Sequence, residues 1–124
     1  MLAAAPITAL VGTNKPDAAR AFYRDALGLK FVADDGFALV FEGRNARIRV
    51  SRVPAVTPPA YALLAFEVEN IEQAVDDLAH KGVGMARFGF LPQDGRGIWT
   101  APDGTKVAWF HDPDLNLLSV VQHV

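Results

Sequence analysis

The sequence predicts an α+β protein built from two βαβββ modules that together form a concave mixed sheet. One order of strand and helix signals runs twice along the 124 residues, and a proline-rich stretch separates the two runs. Apolar residues make up 51% and charged residues 21%, proportions of a folded chain and not of a disordered one. A chain of this size buries roughly two-thirds of the surface its unfolded form exposes, enough for a true core.

The first module, residues 1–53, opens on a strand at 7–13, where Ile7, Ala9 and Val11 alternate with their neighbours. Thr13 and Asn14 can cap a helix, and Pro16 suits its first turn because the missing N–H has no intrahelical partner there. Ala19, Phe22, Tyr23, Ala26 and Leu27 recur at helical spacing, with Asp17, Arg20, Arg24 and Asp25 on the other side. Gly28 ends the helix. Three short strands follow at 29–33, 37–42 and 46–52, with turn signals at 34–36 and 43–45.

Residues 54–60 read as a linker, since Pro54, Pro58 and Pro59 cannot donate to a sheet ladder. The second module, residues 61–124, repeats the order. A strand at 62–68 leads to Asn70, a helix cap with Gln73 in the capping-box position. Ile71, Ala74, Val75, Leu78 and Ala79 form the apolar stripe and Gly82 ends it. Strands are expected at 84–90, 106–111 and 117–122, with 98–100 extending the sheet. In each module the helix covers one sheet face and leaves the other bare. Two bare faces around a shared space make a small-molecule cavity; two half-sheets packed directly together are the alternative.

Several function classes are excluded. Net charge is −2 and no stretch clusters Lys and Arg along a phosphate backbone, so nucleic acid is not an expected partner. Without cysteine there are no disulfides, zinc knuckles or thiol nucleophiles. The apolar run at 61–66 is far short of a membrane span, and residues 1–6 lack the basic start of a signal peptide, so the expected location is the cytoplasm. Ser51 and Ser119 are the only serines and neither sits in G-x-S-x-G, and no Walker or dinucleotide fingerprint occurs.

Residues 14–29, with Phe22-Tyr23 followed by Leu27-Gly28-Leu29, and residues 106–121, which run through Asp112-Pro113-Asp114-Leu115-Asn116, carry a resemblance. The chain resembles the vicinal-oxygen-chelate superfamily, the glyoxalase, bleomycin-resistance and extradiol-dioxygenase group. The resemblance implies the two-module fold and a homodimer, and it does not choose a reaction, because one fold hosts many. One departure is Leu115, which stands where the family usually has glycine. If that position needs positive φ, leucine costs roughly 1–2 kcal/mol; otherwise the turn takes another shape.

Metal-using relatives hold a divalent ion with four side chains, and the matching positions here are Thr8, Arg49, Leu63 and Ser119. Two alcohols, a guanidinium and an isobutyl group offer a dication no negative charge, so neither a metal nor another cofactor is expected. His80 and His123 read as solvated or terminal. His111 is the one histidine expected to line the cavity, and Glu67 and His111 are the candidate acid–base residues.

Register gives the expected lining. Across the turn at 112–116, His111 should face Leu117 and Trp109 should face Ser119, leaving Ala108 and Phe110 to the helix. Across 43–45, Leu39 should face Arg49 and Phe41 should face Arg47, with Arg47 and Arg49 on the cavity side as anion binders or, alternatively, solvated or paired with Glu67. Phe88, Phe90, Trp99 and Trp109 supply aromatic walls, two of them expected in the core, and residues 92–97 have the composition of a mobile lid. The expected ligand-binding set is Thr8, Arg47, Arg49, Leu63, Phe90, Trp99, Trp109 and Ser119. The function it suggests is metal-free binding of a small aromatic or anionic molecule. The alternatives are a metal-independent isomerase or lyase, and a metal-dependent enzyme with displaced ligands.

Overall fold

The structure, a computed structural model, describes residues 1–124. The chain divides into two compact units, Met1–Thr57 and Pro58–Val124. Each holds one four-stranded mixed sheet and one main helix.

In the first unit the elements are β1 (Thr8–Thr13), α1 (Pro16–Ala21), β2 (Lys30–Asp34), β3 (Ala38–Gly43) and β4 (Ala46–Arg52), in the sheet order β1-β4-β3-β2. β1 runs parallel to β4 and the other pairs are antiparallel. Pro16 does occupy the first turn of α1, but the capping position is Lys15, whose backbone N–H donates to the Thr13 hydroxyl at 3.0 Å. The helix widens into a π-turn at Phe22–Ala26 before Gly28, at φ +74°, breaks it. Ala19 and Tyr23 are the fully buried residues of the predicted stripe. Buried with them are Val11, Leu39, Phe41, Ile48 and Val50, the apolar side of the sheet. Tyr23 and Phe31 each bring a ring centroid 5.6 Å from that of Phe41.

The second unit repeats the plan with β5 (Leu64–Glu67), α2 (Ile71–His80), β6 (Trp99–Thr100), β7 (Lys106–His111) and β8 (Leu117–Gln122), ordered β5-β8-β7-β6. Asn70 caps α2 by accepting from the Gln73 N–H at 3.1 Å. The reciprocal half of the capping box does not form, because the Gln73 side chain donates instead to Asp77 at 2.8 Å. Ile71, Val75 and Leu78 pack on Ala108, Phe110, Leu118 and Val120. No helix is long and apolar enough to cross a membrane.

Two expectations about elements are overturned. Residues 84–90 are not a strand. Gln93 replaces it: its amide accepts from the Phe88 N–H at 2.7 Å and donates to the carbonyls of Ala86 and Gly97 at 2.9 and 2.8 Å. Only Ala86 reaches the sheet, donating to the Trp109 carbonyl at 2.7 Å. The β3–β4 register is also shifted by one from the expectation. Gly43 pairs with Ala46, so Val40 faces Arg49 and Glu42 faces Arg47, while Leu39 and Phe41 face Val50 and Ile48 in the core. The turn is two residues long, with Asn45 at φ +64°.

The β7–β8 turn keeps its leucine in the left-handed region, Leu115 at φ +67°. Asp112 holds the turn shut. Its Oδ1 accepts from the N–H groups of Asp114 and Asn116, and its Oδ2 from the Asn116 side chain, all at 2.9 Å. The Asp112 carboxylate thus bonds the local backbone.

Candidate functional site

Strand alternation places the candidate residues on the helix-free face of each sheet. In the first unit that face carries Thr8 and Leu10 from β1, Arg47 and Arg49 from β4, and Val40 and Glu42 from β3. Thr8 lies across from Arg47 and Leu10 from Arg49. A shallow pocket of about 310 Å³ gathers Thr8 and Arg47 with Ile7, Glu42 and Asn45, and leaves Arg49 outside.

Both arginines are engaged within their own unit. Arg49 places Nη1 at 2.8 Å from Asp35 Oδ2, and Arg47 places Nη2 at 3.3 Å from Glu42 Oε2. Asp35 is pre-set for this role. Its Oδ1 accepts from the N–H groups of Phe37 and Ala38 at 2.9 and 2.8 Å, and these bonds, with the Arg49 guanidinium, hold its carboxyl below the ordinary carboxylate range. The partner considered for Arg49 from the sequence, Glu67, bonds elsewhere: Glu67 Oε1 lies 2.8 Å from Nε2 of His123. His123 is therefore tied to β5 and not a loose terminus.

In the second unit the register is as expected, with Trp109 opposite Ser119 and His111 opposite Leu117. Continuing across the sheet, Ser119 pairs with Ala65, and Val107 pairs with Val121 on one side and Trp99 on the other. Leu63 precedes β5 and its N–H donates to the Leu117 carbonyl at 2.8 Å. The helix-free face therefore brings together Leu63, Ser119, Trp109 and Trp99. Glu67 stands at one end of it and His111, exposed, at the other.

The rings form one continuous aromatic surface. Trp99 and Trp109 have centroids 6.2 Å apart, Phe88 meets Trp109 edge-on at 5.4 Å, and Phe90 lies 5.8 Å from Phe88. None of the four belongs to the buried core, against the expectation that two would, and Phe90 is 81% exposed. They stay out of the core because α2 covers the opposite face, where Ala108 and Phe110 fill the space.

The residues read as a lid are firmly tied. Besides the three bonds of Gln93, Asp94 Oδ1 accepts from the N–H groups of Arg96 and Ile98, both at 2.9 Å. Arg96 reaches Asp76 of α2 at 3.0 Å, and Arg87 donates to the Gly95 carbonyl at 2.8 Å. The loop composition is that of a hinge, yet its polar groups are spent in bonding it down.

The four positions that match metal ligands in relatives do not fit a transition metal. Leu63 has no donor atom, and Arg49 is a cation held by Asp35. Ser119 is 3% exposed and gives its hydroxyl proton to the Leu64 carbonyl at 3.1 Å. Thr8 remains, a neutral alcohol. No group of three or more His, Cys, Asp or Glu side chains is placed to hold a metal ion.

Sequence reasoning missed Asp35 and Gln93. Asp35 sits in an Asp34-Asp35-Gly36 turn, where a carboxylate is expected to bond local N–H groups, and only the fold shows that it also reaches β4. Gln93 carries no local signal, since its three bonds depend on a loop closing around it.

Residues 6–120 match the family described as "Glyoxalase/Bleomycin resistance protein/Dioxygenase superfamily". No curated protein matches the sequence. Among solved structures, the chain is similar to a member of that superfamily from Sphaerobacter thermophilus, at 19% identity and TM-score 0.76, covering 99% of this chain and 100% of that one. It is also similar to a lactoylglutathione lyase from Agrobacterium tumefaciens, at 18% identity and TM-score 0.74 over 96% and 93%. A third similar structure is a glyoxalase/bleomycin resistance protein/dioxygenase from Nocardioides, at 17% and 0.71 over 96% and 83%. At these identities the likeness is one of fold.

Proposed function

The chain belongs to the Glyoxalase/Bleomycin resistance protein/Dioxygenase superfamily, and from that premise we propose that it binds a small planar molecule, without a metal, on the aromatic surface of its second unit. The observation that carries this reading is the group of four rings linked centroid to centroid, Trp99 and Trp109 on the sheet face opposite α2 and Phe88 and Phe90 from the segment that leads into the 92–97 loop. Apolar ring surface left open to water, as at Phe90 and in part at Phe88, Trp99 and Trp109, costs about 25 cal/mol per Å² that a bound planar molecule recovers. Aromatic pairs also favour defined offset or edge-on geometries, so the surface is pre-shaped for another ring.

The donor chemistry of Thr8, Arg49, Leu63 and Ser119 supports the metal-free part of the reading. The pairing of Arg47 with Glu42 and Arg49 with Asp35 weakens the idea of an anion receptor and leaves the aromatic component. A metal-independent isomerase or lyase on the same face draws on the Glu67–His123 contact. Both side chains are mostly exposed, which favours binding over proton transfer in a dry site. Assembly as a homodimer, which the resemblance implies, belongs to the same proposal and is read by analytical ultracentrifugation.

The test is a calorimetric titration with quinoline, a neutral planar probe at neutral pH, followed in parallel by tryptophan fluorescence. Saturable binding that quenches Trp99 and Trp109 is the expected result. Absence of saturable heat and of quenching overturns the platform. Elemental analysis of the purified protein tests the metal-free part, which stoichiometric nickel, zinc, iron or manganese would overturn.

A further inference from the structure

We propose that the aromatic surface of the second unit selects planar molecules that carry a hydrogen-bond acceptor at the ring edge (an aromatic carbonyl, an N-oxide or a pyridine-type nitrogen), and that the indole N–H groups of Trp99 and Trp109 are the donors that read it. The inference rests on the platform reading above and adds the polar half of recognition, which ring contacts alone do not supply.

It starts from the hydrogen bonds the rings do not make. Tryptophan has a single polar group, a donor, and a buried indole usually finds an acceptor for it. Trp99 and Trp109 are both half-buried, yet neither indole nitrogen donates to any group of the chain. The buried side-chain nitrogen that lacks a partner is Nε of Arg20 in the first unit, so neither indole nitrogen is sealed from solvent.

The acceptors of the ring-bearing segments are already engaged. The carbonyls of Ala86 and Gly97 accept from the Gln93 amide, that of Phe88 from the Leu91 N–H, and that of Trp109 from the Ala86 N–H. Ser119, opposite Trp109, gives its hydroxyl proton to the Leu64 carbonyl. His111, two residues along β7 from Trp109, is exposed, and a neutral imidazole both donates and accepts, so it favours neither kind of ligand. What the rings themselves add is two donors and no acceptor.

An indole N–H open to water is satisfied by it. The balance changes when a ligand lies across the two indoles, whose centroids are 6.2 Å apart, and strips that water away. An acceptor at the ligand's edge takes the place of the water. A hydrocarbon edge leaves the donor unsatisfied. Such a site discriminates chiefly through the bond that a wrong ligand fails to make.

Naphthalene, quinoline and quinoline N-oxide test this. They share one fused bicyclic frame and differ in the acceptor it carries: none, a ring nitrogen and an exposed oxygen. Titrated calorimetrically into the whole chain at neutral pH, the N-oxide is expected to bind about fivefold more tightly than naphthalene although it is the less apolar, with quinoline between them. Trp99→Phe and Trp109→Phe each keep a ring and delete one N–H, and at least one of them should bring that ratio close to unity. The ratio is the readout because loss of ring area weakens all three probes alike. A second readout needs no variant. The chain has two tryptophans and so two indole N–H resonances, and the N-oxide should move at least one of them downfield while naphthalene moves neither that way. Naphthalene binding as tightly as the N-oxide, a ratio unchanged in both variants, or indole protons that answer both probes alike overturns the acceptor preference and leaves the platform standing. Binding by none of the three overturns the platform itself, and with it this inference.

Discussion

Arg49 and Asp35 form an ion pair at 2.8 Å in which the other carboxylate oxygen is held by the backbone N–H groups of Phe37 and Ala38. The arrangement matters because a guanidinium held by an anchored carboxylate is a poor receptor for another anion. In Arg49→Ala the affinity for quinolinecarboxylate should change by less than about twofold, the size expected for a screened charge near the surface. A loss of tenfold or more would show that Arg49 leaves Asp35 to grip the ligand.

Acid should destabilise the protein through the carboxylates that bonding holds below their ordinary range. Asp34 is lowered chiefly by the Arg52 guanidinium, Asp35 by the Phe37 N–H, Asp76 by the Arg96 guanidinium and Asp103 by the Thr105 N–H. Each binds its proton more weakly in the native than in the unfolded chain. The stability they add is complete above the unfolded carboxylate pKa of about 4, and it is lost as the pH falls through the lower native values. Denaturant midpoints should be flat near neutrality and fall steeply below about pH 4, with a shallower fall in Asp34→Asn. A midpoint independent of pH through that range would contradict the assignment.

Leu115 holds a positive φ with its side chain 65% exposed, so little packing offsets the backbone cost. Leu115→Gly should raise stability by about 1 kcal/mol, or roughly 4 °C in melting temperature, because the relieved strain exceeds the glycine's added freedom in the unfolded chain. Leu115→Val should do the opposite, since a β-branched residue tolerates this conformation worst. Thermal melts of the two variants decide the sign.

Gln93 substitutes for a missing strand, and Gln93→Leu should show it. Three hydrogen bonds are lost and the Phe88 N–H and the Ala86 and Gly97 carbonyls lose their partner, a cost on the order of 2–3 kcal/mol. Hydrogen exchange should accelerate at Phe88, while the core amides of β8 change only with global stability. Gly97→Ala should loosen the same loop by another route. Gly97 has φ +87°, and a Cβ there would come within 2.8 Å of Met85 Cβ.

The fold was legible because its signals are local and doubled. Pro16, Gly28, Asn70 and Gly82 punctuate both helices, and the Asp112–Asn116 turn set the β7–β8 register that places Trp109 beside Ser119. The β3–β4 register departs from the sequence expectation by one because Gly43, a turn signal by type, is the last paired residue of β3. The segment 84–90 alternates like a strand, yet what it bonds to is a glutamine side chain further along, which no periodicity reports. The site was legible in its aromatic part. Its charged part was not, because whether an arginine is free depends on partners such as Asp35 that only the folded chain brings near.

Both tryptophans of the chain, Trp99 and Trp109, belong to the second unit. Their emission during denaturation therefore follows one half of the molecule, and the first half melts without a tryptophan to report it. Circular dichroism sees both halves. Superimposable transitions by the two methods would establish that the halves unfold as a single cooperative body, and separated ones would give each half a stability of its own.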